Sequence, residues 1–248
     1  MTQQTVESIP SQSRPQAHLR PAQPKAGGAP GPEDVYERIY VAILEHRLPP
    51  GTKLGEDRMA RIFGVSRARI REVLARLAHE GVVELVPQRG ARVARPTPEQ
   101  ARDIFEMRRL VEPGVVARLI RDLNPAKLRR LQGHLAEEHD ARVRNDKPAV
   151  IRLSGEFHNL LAEVAGNDIM ARTMRELTSL TCLIIALYDA PTTDACRDDE
   201  HAQIVDAIGD KNVDKASRLM VAHLDHIEAS LDLSGVGDEV DLERVFAG

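Results

Sequence analysis

The sequence predicts a mainly α-helical fold, in which three short helices and a β-hairpin are followed by an all-α antiparallel helical bundle. Apolar residues recur with helical spacing over most of the chain, and Gly, Pro and Asn interrupt the pattern at intervals. The exceptions are segments 82–86 and 91–94, where apolar and polar residues alternate as in two paired strands. The 248 residues suffice for two modest domains.

Both ends of the chain have a composition that disfavours a packed core. Residues 1–32 are rich in Pro, Gln, Ser, Ala and Gly and contain three aliphatic side chains, Val6, Ile9 and Leu19. Such a segment buries too little apolar surface to offset the entropy of ordering it, so a disordered tail is expected. Residues 234–248 are acidic and contain glycine, and a loose tail is expected there.

The first domain is predicted over 33–95. One helix is expected over about 32–46, and the Pro-Pro-Gly run at 49–51 ends it. A second helix ends at Phe63, with Glu56 or Asp57 as its cap. A third covers about 66–80, between Ser66 as its cap and Gly81. Helix, tight turn, helix and hairpin in this order predict a winged helix-turn-helix, which places one helix in the DNA major groove.

Charge supports this prediction. The stretch from 51 to 95 holds ten Lys and Arg against five acids, whereas the whole chain has a net charge of −4. Arg67 and Arg71 are four residues apart, share a helix face and can pair with guanine edges. Ser66 can donate to a phosphate, and Arg89 beside Gly90 at the hairpin tip is placed to reach the minor groove or its phosphates. The alternative is a solvated charged face, which the lack of acids between Ser66 and Arg71 disfavours.

The second domain is predicted over 98–233 as six helices, near 98–122, 125–145, 148–166, 168–189, 194–210 and 212–232. Asn-Pro, Lys-Pro, Gly-Asn, Ala-Pro and Gly-Asp pairs mark the breaks. Consecutive helices joined by short connections favour an antiparallel bundle. The two cysteines form no CxxC pair, and no run of 18 apolar residues or apolar signal core occurs. We therefore expect a cytoplasmic protein with no membrane partner.

Three histidines of the bundle, His158, His201 and His223, fall in different predicted helices. Neutral imidazole is a common ligand of zinc and other divalent metals, and three side chains converging in a bundle would leave a coordination position open. A histidine taken alone is more often a packing or surface residue, and no two of these lie four apart on one helix. The residues alone therefore leave both interpretations open.

These segments resemble a known family. The run LPPGTKLGEDRMARIFGVSRARIREVLARLAHEGVVE, within a match over about 35–93, resembles the DNA-binding domain of the GntR superfamily. The run from FEMRRLVEP through SGEFHNLLAEVAGN to DDEHAQIVDAIGDKNVDKASRLMVAHLDHI resembles the FCD ligand-binding domain of FadR-type members, over about 101–231. The resemblance implies a homodimer on a short palindromic operator, with Ser66, Arg67, Ala68 and Arg71 near the DNA. Where the family usually has Thr-Pro, this chain has Ala68 and Arg69.

The resemblance also implies a metal site, in which His158, His201 and His223 match three of the family's ligands. The fourth, an Asp in the family, is Ser154 here, and a hydroxyl is a far weaker ligand than a carboxylate. Zinc or nickel with lower affinity is the expected cofactor. Arg108 matches a family arginine and can pair with an effector carboxylate or, equally, with Glu112 one turn away.

Three functions are open from the sequence. The first is a ligand-responsive transcription regulator, a repressor released by a small organic acid that binds near the histidines, Arg108, Ser154 and Arg175. It would act by shifting a population between two bundle packings. The second is a metal-dependent hydrolase or dioxygenase built on the three histidines, against which the attached DNA-binding unit argues. The third is a constitutive DNA binder with a degenerate sensor. We expect the first, and no enzymatic activity.

Overall fold

The computed structural model describes residues 30–87, 90–189 and 199–234. The expected tails at 1–32 and 234–248 lie almost wholly outside the described residues. The amino-terminal elements are α1 (Pro32–Leu44), β1 (Lys53–Leu54), α2 (Glu56–Phe63), α3 (Arg67–His79), β2 (Val83–Val86) and β3 (Gly90–Val93). The remaining elements are α4 (Pro98–Arg121), α5 (Pro125–Val143), α6 (Lys147–Ala165), α7 (Asp168–Tyr188), α8 (Glu200–Gly209) and α9 (Val213–Ala229).

The amino-terminal unit packs three helices on a small antiparallel sheet. The strand order is β1-β3-β2. Arg92 of the central strand β3 is paired with Lys53 of β1 on one side and with Glu84 of β2 on the other. The hairpin was predicted, but the two-residue strand β1 was not, because a pair of residues shows no alternation. Apolar side chains of α1, α2, α3 and the strands form one core beneath the exposed face of α3.

Local caps explain where the helices of this unit begin and end. The Ser66 hydroxyl accepts a hydrogen bond from the Arg69 amide at 3.3 Å, which confirms the expected cap of α3. Helix α2 ends at Gly64, which adopts a left-handed φ of 66° that favours glycine. The expected cap of α2 was wrong: Gly55 precedes the helix without a side-chain bond. Glu56 and Asp57 lie instead in its first turn, where acids favour the helix dipole.

The second part of the chain is an all-α bundle, as predicted. The long helix α4 packs against α6, α7 and α9, and α5 against α6 and α8. Helix α4 continues through Pro113, and its buried face includes Phe105, Val116 and Leu119. Among the described residues, no helix combines the length and the hydropathy that a membrane span requires.

The two parts are in contact through α6 and α7, and α7 provides the apolar part of this contact. Cys182 and Leu183 of α7 belong to the hydrophobic core of the amino-terminal unit. The Tyr40 hydroxyl of α1 lies 2.7 Å from the Ser179 hydroxyl, and both are buried. We call Ser179, Leu180, Cys182 and Leu183 the docking face of α7. The Tyr188 hydroxyl, near the end of the same helix, donates to the Pro96 carbonyl in the linker at 2.8 Å.

Candidate metal centre and DNA interface

Three buried imidazoles meet in the bundle. His158 on α6, His201 on α8 and His223 on α9 each offer one ligand nitrogen, and these nitrogens lie within 4.8 Å of one another. The Nε2 atom of His223 is 3.2 Å from Nε2 of His201 and 3.3 Å from Nε2 of His158. The ring of Phe157 stacks on His201 with centroids 4.0 Å apart, which helps to fix that ring. The structure thus brings together the three histidines singled out from the sequence.

A carboxylate stands behind each ring. Nδ1 of His158 is 2.7 Å from Glu112 on α4, and Nδ1 of His223 is 2.7 Å from Glu200 on α8. Nδ1 of His201 is 3.0 Å from Glu138 on α5. An ionised carboxylate only accepts hydrogen bonds, so an Nδ1 that faces one donates, and the neutral ring then presents an unprotonated Nε2 to the centre.

The titration behaviour of the first pair agrees with this tautomer. Burial lowers the pKa of His158 to about 3, so the ring is neutral at physiological pH. Burial alone would raise the pKa of Glu112, but the charge of Arg108 and the hydrogen bonds from Arg108 and His158 lower it to about 2. Glu112 is therefore ionised, and His158 donates its Nδ1 proton to it.

The other two carboxylates differ from Glu112. Burial raises the pKa of Glu138, although the charges of His134 and Arg142 oppose the change. Burial would also raise the pKa of Glu200, but its hydrogen bond and charge interaction with His223 lower it. Burial also holds the pKa of His201 well below its usual range, so the rings of His158 and His201 are both neutral at physiological pH.

The arrangement fits a divalent metal ion. Three lone pairs that face one another repel unless a cation lies among them, and histidine ligands whose second nitrogen donates to a carboxylate are the usual pattern at zinc. With zinc–nitrogen bonds of about 2.0–2.1 Å, neighbouring ligands on a tetrahedral ion lie about 3.3 Å apart. The observed separations of 3.2 and 3.3 Å match this value.

Two further sequence-predicted residues lie near the cluster. Ser154 is half-buried on α6, one turn before His158. Arg108 is buried on α4, and its Nε donates to Glu112 at 2.7 Å while Nη1 donates to Thr181 on α7 at 3.2 Å. Of the two partners that the sequence suggested for Arg108, an effector carboxylate and Glu112, the structure shows the ion pair with Glu112. Nη2 of Arg108, however, is buried with no hydrogen-bond partner, which is costly for a charged donor.

Arg175 lies elsewhere. It sits on α7 one turn before Ser179, whose hydroxyl donates to the Arg175 carbonyl at 2.7 Å. Its guanidinium is 3.7 Å from Glu163, and the docking face toward α1 begins beside it. Thr181, which meets Arg108, is on a different face of the same helix. The geometry thus gives Arg175 a place at the contact between the two parts of the chain.

Helix α3 presents its first turns to solvent. Ser66, Arg67, Ala68 and Arg71 are exposed, whereas Ile70, Val73, Leu74 and Leu77 form the buried stripe. Arg67 and Arg71 pair with Asp57 and Glu56 across the turn. Arg69 turns away from them, and its Nη1 is 3.4 Å from the Pro30 carbonyl. Gly90 is exposed with a φ of 86°, and Arg89 lies outside the described residues.

Sequence reasoning missed the three carboxylates. From the sequence, Glu112 was considered only as a partner of Arg108, and neither Glu138 nor Glu200 was expected beside the histidines. A signal existed for two of them. Glu112 interrupts the apolar stripe of α4, and Glu138 falls seven residues after Leu131 on the buried face of α5. An acid at a core position of a helix indicates a buried partner.

Comparisons with known proteins agree with this architecture. The model of the bacterial regulatory proteins of the gntR family matches residues 32–93, and the FCD domain model matches residues 103–226. The HTH-type transcriptional repressor RspR of Escherichia coli strain K12 is 25% identical over 217 residues, covering 87% of this chain and 92% of the relative. The HTH-type transcriptional repressor NanR of Salmonella newport is 29% identical over 225 residues, covering 80% and 84%.

Solved structures share the fold. McbR/YncC of E. coli superposes with a TM-score of 0.71 at 20% identity, covering 80% of this chain and 95% of that one. A putative GntR regulator from Rhodococcus sp. RHA1 gives a TM-score of 0.71 at 24% identity, covering 83% and 98%. The enzyme alternative is not borne out, since the family and these relatives are transcription regulators. The chain belongs to the gntR family of bacterial regulatory proteins and is a DNA-binding transcription regulator with an FCD domain.

Proposed function

We propose that this regulator is a repressor released from its operator by a small organic acid, which binds in the bundle with a zinc or nickel ion. The observation that carries the proposal is the set of three Nε2 atoms that converge from α6, α8 and α9, each backed by a carboxylate. His158, His201 and His223 would hold the ion. A bound ion would supply a Lewis-acidic anchor for one carboxylate oxygen of the effector.

Arg108 would supply the second anchor. Its Nη2 is a buried, unsatisfied donor, and a carboxylate is the acceptor that a guanidinium pairs with most strongly. The Glu112 carboxylate fixes the same guanidinium through Nε, so the free donor is held in one orientation. Ser154, one turn before His158, is the position from which a hydroxyl would contact the effector or a coordinated water. Arg175, at the docking face of α7, would respond to the effector without touching it.

Helix α7 would carry the response to the DNA-binding unit. Thr181 accepts from Arg108, and its neighbours along the helix form the docking face that holds α1. A shift of α7 by the effector would therefore move the reading helix of each subunit. Two packings of α7, with the effector favouring one, would constitute a population shift between DNA-binding and released states.

An apolar patch supports the proposed homodimer. Leu110 and Met107 on α4 and Ile169 on α7 are 71%, 43% and 62% exposed. Gly114, one turn after Leu110, lies against Met170, so the two helices adjoin where these side chains emerge. A second copy of the chain is the occupant that would bury them, since a dimer would also match a palindromic operator.

The DNA would be read by the exposed face of α3 and the tip of the wing. Arg67 and Arg71 would contact base edges in the major groove, with Ser66 and Ala68 close to the backbone and the bases. Arg89 and Gly90 would meet the minor groove or its phosphates. In this proposal the DNA-binding domain covers 33–95 and the effector domain 98–233.

A screen of small carboxylic acids tests the proposal. Each acid is added to the metal-stripped protein with and without zinc, and the melting temperature and the affinity for a selected operator duplex are measured. An effector that binds the folded state raises the melting temperature. We expect at least one acid to do so only with zinc present and to weaken DNA binding in the same samples. DNA binding that no acid changes would contradict the proposal and would indicate a constitutive binder.

The Arg108→Lys variant sharpens this test, because lysine keeps the charge beside Glu112 but cannot present two donors in a fork. We expect the variant to fold and to retain zinc but to lose at least tenfold in effector affinity. Arg109→Lys is the matched control, since Arg109 is on the same helix but pairs with Asp225 and Glu228 of α9 instead of Glu112. An equal loss in both variants would argue against a role of Arg108 in binding.

A further inference from the structure

The two arginines proposed to read DNA bases are each held by an acid from the preceding helix. Nη1 of Arg67 donates to Asp57 at 2.8 Å. Nε and Nη2 of Arg71 donate to the two oxygens of Glu56 at 3.0 and 2.7 Å, as a two-pronged pair. Both acids lie in the first turn of α2. The reading face of α3 is therefore not a set of free cations.

These pairs lie where a duplex would approach. The side chains of Arg67 and Arg71 are 67% and 69% exposed even though they are paired. Ion pairs with this exposure contribute little to folding, so their effect is expected on binding. The hydrogen bonds from Arg71 lower the pKa of Glu56, which keeps its carboxylate ionised.

A carboxylate in this position is expected to affect sequence-independent binding to phosphates and sequence-specific reading of bases to different extents. Sequence-independent binding needs the arginines on phosphates, and each phosphate must then displace or approach an existing negative charge. Base reading can leave the pair in place, because Glu56 takes Nε and one hydrogen of Nη2 of Arg71. The outer edge of the guanidinium, with Nη1 and the second hydrogen of Nη2, would then remain for the two acceptors of a guanine. The pair also restricts the rotamers of a long side chain before DNA arrives.

We propose that Glu56 and Asp57 are specificity-determining residues, which hold Arg71 and Arg67 for base edges and penalise their use on phosphates. The inference rests on the proposed role of these two arginines in reading DNA. It assigns to α2 a function in discrimination, in addition to its packing beneath α3.

The test compares two duplexes. Wild-type protein selects a site from a random-sequence pool, and affinities for that site and for a scrambled duplex of equal composition are measured by fluorescence anisotropy over a range of salt concentrations. We expect Glu56→Gln to bind the scrambled duplex about fivefold more tightly and to lose a similar factor in discrimination. On the scrambled duplex, the slope of the logarithm of the binding constant against the logarithm of the salt concentration should become steeper by about 0.9. This is the change expected for one more phosphate contact. Asp57→Asn repeats the measurement at Arg67.

Two controls make the outcome decisive. Glu72→Gln removes the same charge from an exposed position next to Arg71 in the sequence, and an equal effect there would overturn the inference in favour of a general charge effect. Unchanged discrimination in Glu56→Gln would overturn it as well. Arg71→Ala tests the proposed function separately: if it loses affinity for the selected site while Glu56→Gln changes nothing, only the inference fails. If Arg71→Ala binds normally, the reading role and the inference both fail.

Discussion

At the scale of single residues, the candidate metal centre depends on groups that do not touch an ion. Glu112, Glu138 and Glu200 each fix the tautomer and the ring orientation of one histidine, so that the ligand atoms point inward. Partners of this kind are worth about tenfold to a hundredfold in metal affinity. These hydrogen bonds also offset the cost of placing three carboxylates in or beside a core, where an unpaired carboxylate is unfavourable.

Metal content should depend on His201. Removing one of three ligands leaves two, so we expect the His201→Ala protein to lose most of the zinc that the wild type retains after dialysis. Elemental analysis of the purified proteins measures the ratio of metal to chain. His139→Ala is the control, because His139 is exposed on α5. Equal metal content in His201→Ala and wild type would refute the histidine site.

The Glu138→Gln variant should separate positioning from ligation. A glutamine oxygen can still accept the Nδ1 proton of His201, but the charge that strengthens the ligand is gone. We expect zinc to bind about tenfold more weakly, with the stoichiometry unchanged. Competition with a chromogenic chelator gives the affinity. An unchanged zinc affinity would show that the charge of Glu138 does not strengthen His201 as a ligand.

The thiol of Cys182 should be inert in the folded protein. Burial raises its pKa to about 12, from an ordinary value of 9.0. The folded state therefore keeps the proton over this interval while the unfolded state releases it, so this group lowers stability as the pH rises from 9.0 toward 12. In a Cys196→Ser background, we expect a thiol reagent at pH 8 to label the protein only after denaturation. Rapid labelling of the native protein would show that Cys182 is accessible.

At the scale of elements, α7 has two roles at once. One side reaches Arg108 through Thr181, and the docking face holds the DNA-binding unit through Tyr40 and Cys182. A helix with both contacts would couple the proposed effector site, through α1 and the amino-terminal core, to the reading helix. Such coupling requires that α7 have two alternative packings and that the effector favour one of them.

The Tyr40→Phe variant tests that coupling. Ser179 still donates to the Arg175 carbonyl, so no buried group loses its last partner, and the cost to stability should be about 0.5–1.5 kcal/mol. We expect the effector to raise the melting temperature as in wild type but to release DNA less completely. The measurement is a DNA titration at saturating effector. Full release in the variant would show that this hydroxyl contact does not transmit the response.

Much of the helical framework was predictable from the sequence, because helix ends carry local signals. The third helix was expected over 66–80 and is found at Arg67–His79, between the Ser66 cap and Gly81. The helix expected over 168–189 is found at Asp168–Tyr188. Its neighbour was expected over 194–210, and α8 begins at Glu200, with 190–198 outside the described residues.

The site was only half predictable. The histidines were found because their residue type is informative and because the family resemblance aligned them. Their carboxylate partners could not be assigned, since Glu112 and Glu138 come from α4 and α5, and no local pattern encodes which helices meet. The pairing of Arg71 with Glu56 was missed for the same reason, as it joins residues 15 apart across a turn.

At the scale of the whole molecule, the exposed patch of Leu110, Met107 and Ile169 predicts self-association. A charge in the centre of an apolar interface is costly, so we expect Leu110→Glu to shift the protein from dimer to monomer and to weaken operator binding. Sedimentation equilibrium measures the mass. Val143→Glu is the matched control, because Val143 is equally exposed at 70% but lies at the end of α5. A monomeric wild type would refute the proposed dimer.

The convergence of the three histidines has a mechanical consequence. His158 and His223 are separated by 65 residues of chain, yet their nitrogens are 3.3 Å apart. An ion bound by all three histidines would cross-link α6, α8 and α9. Because the site exists only when these helices are assembled, binding of the ion would stabilise the folded state. Removal of the ion by a chelator would then loosen the packing of the bundle against which the DNA-binding unit is docked. The supply of metal would in that way influence the affinity of the protein for its operator.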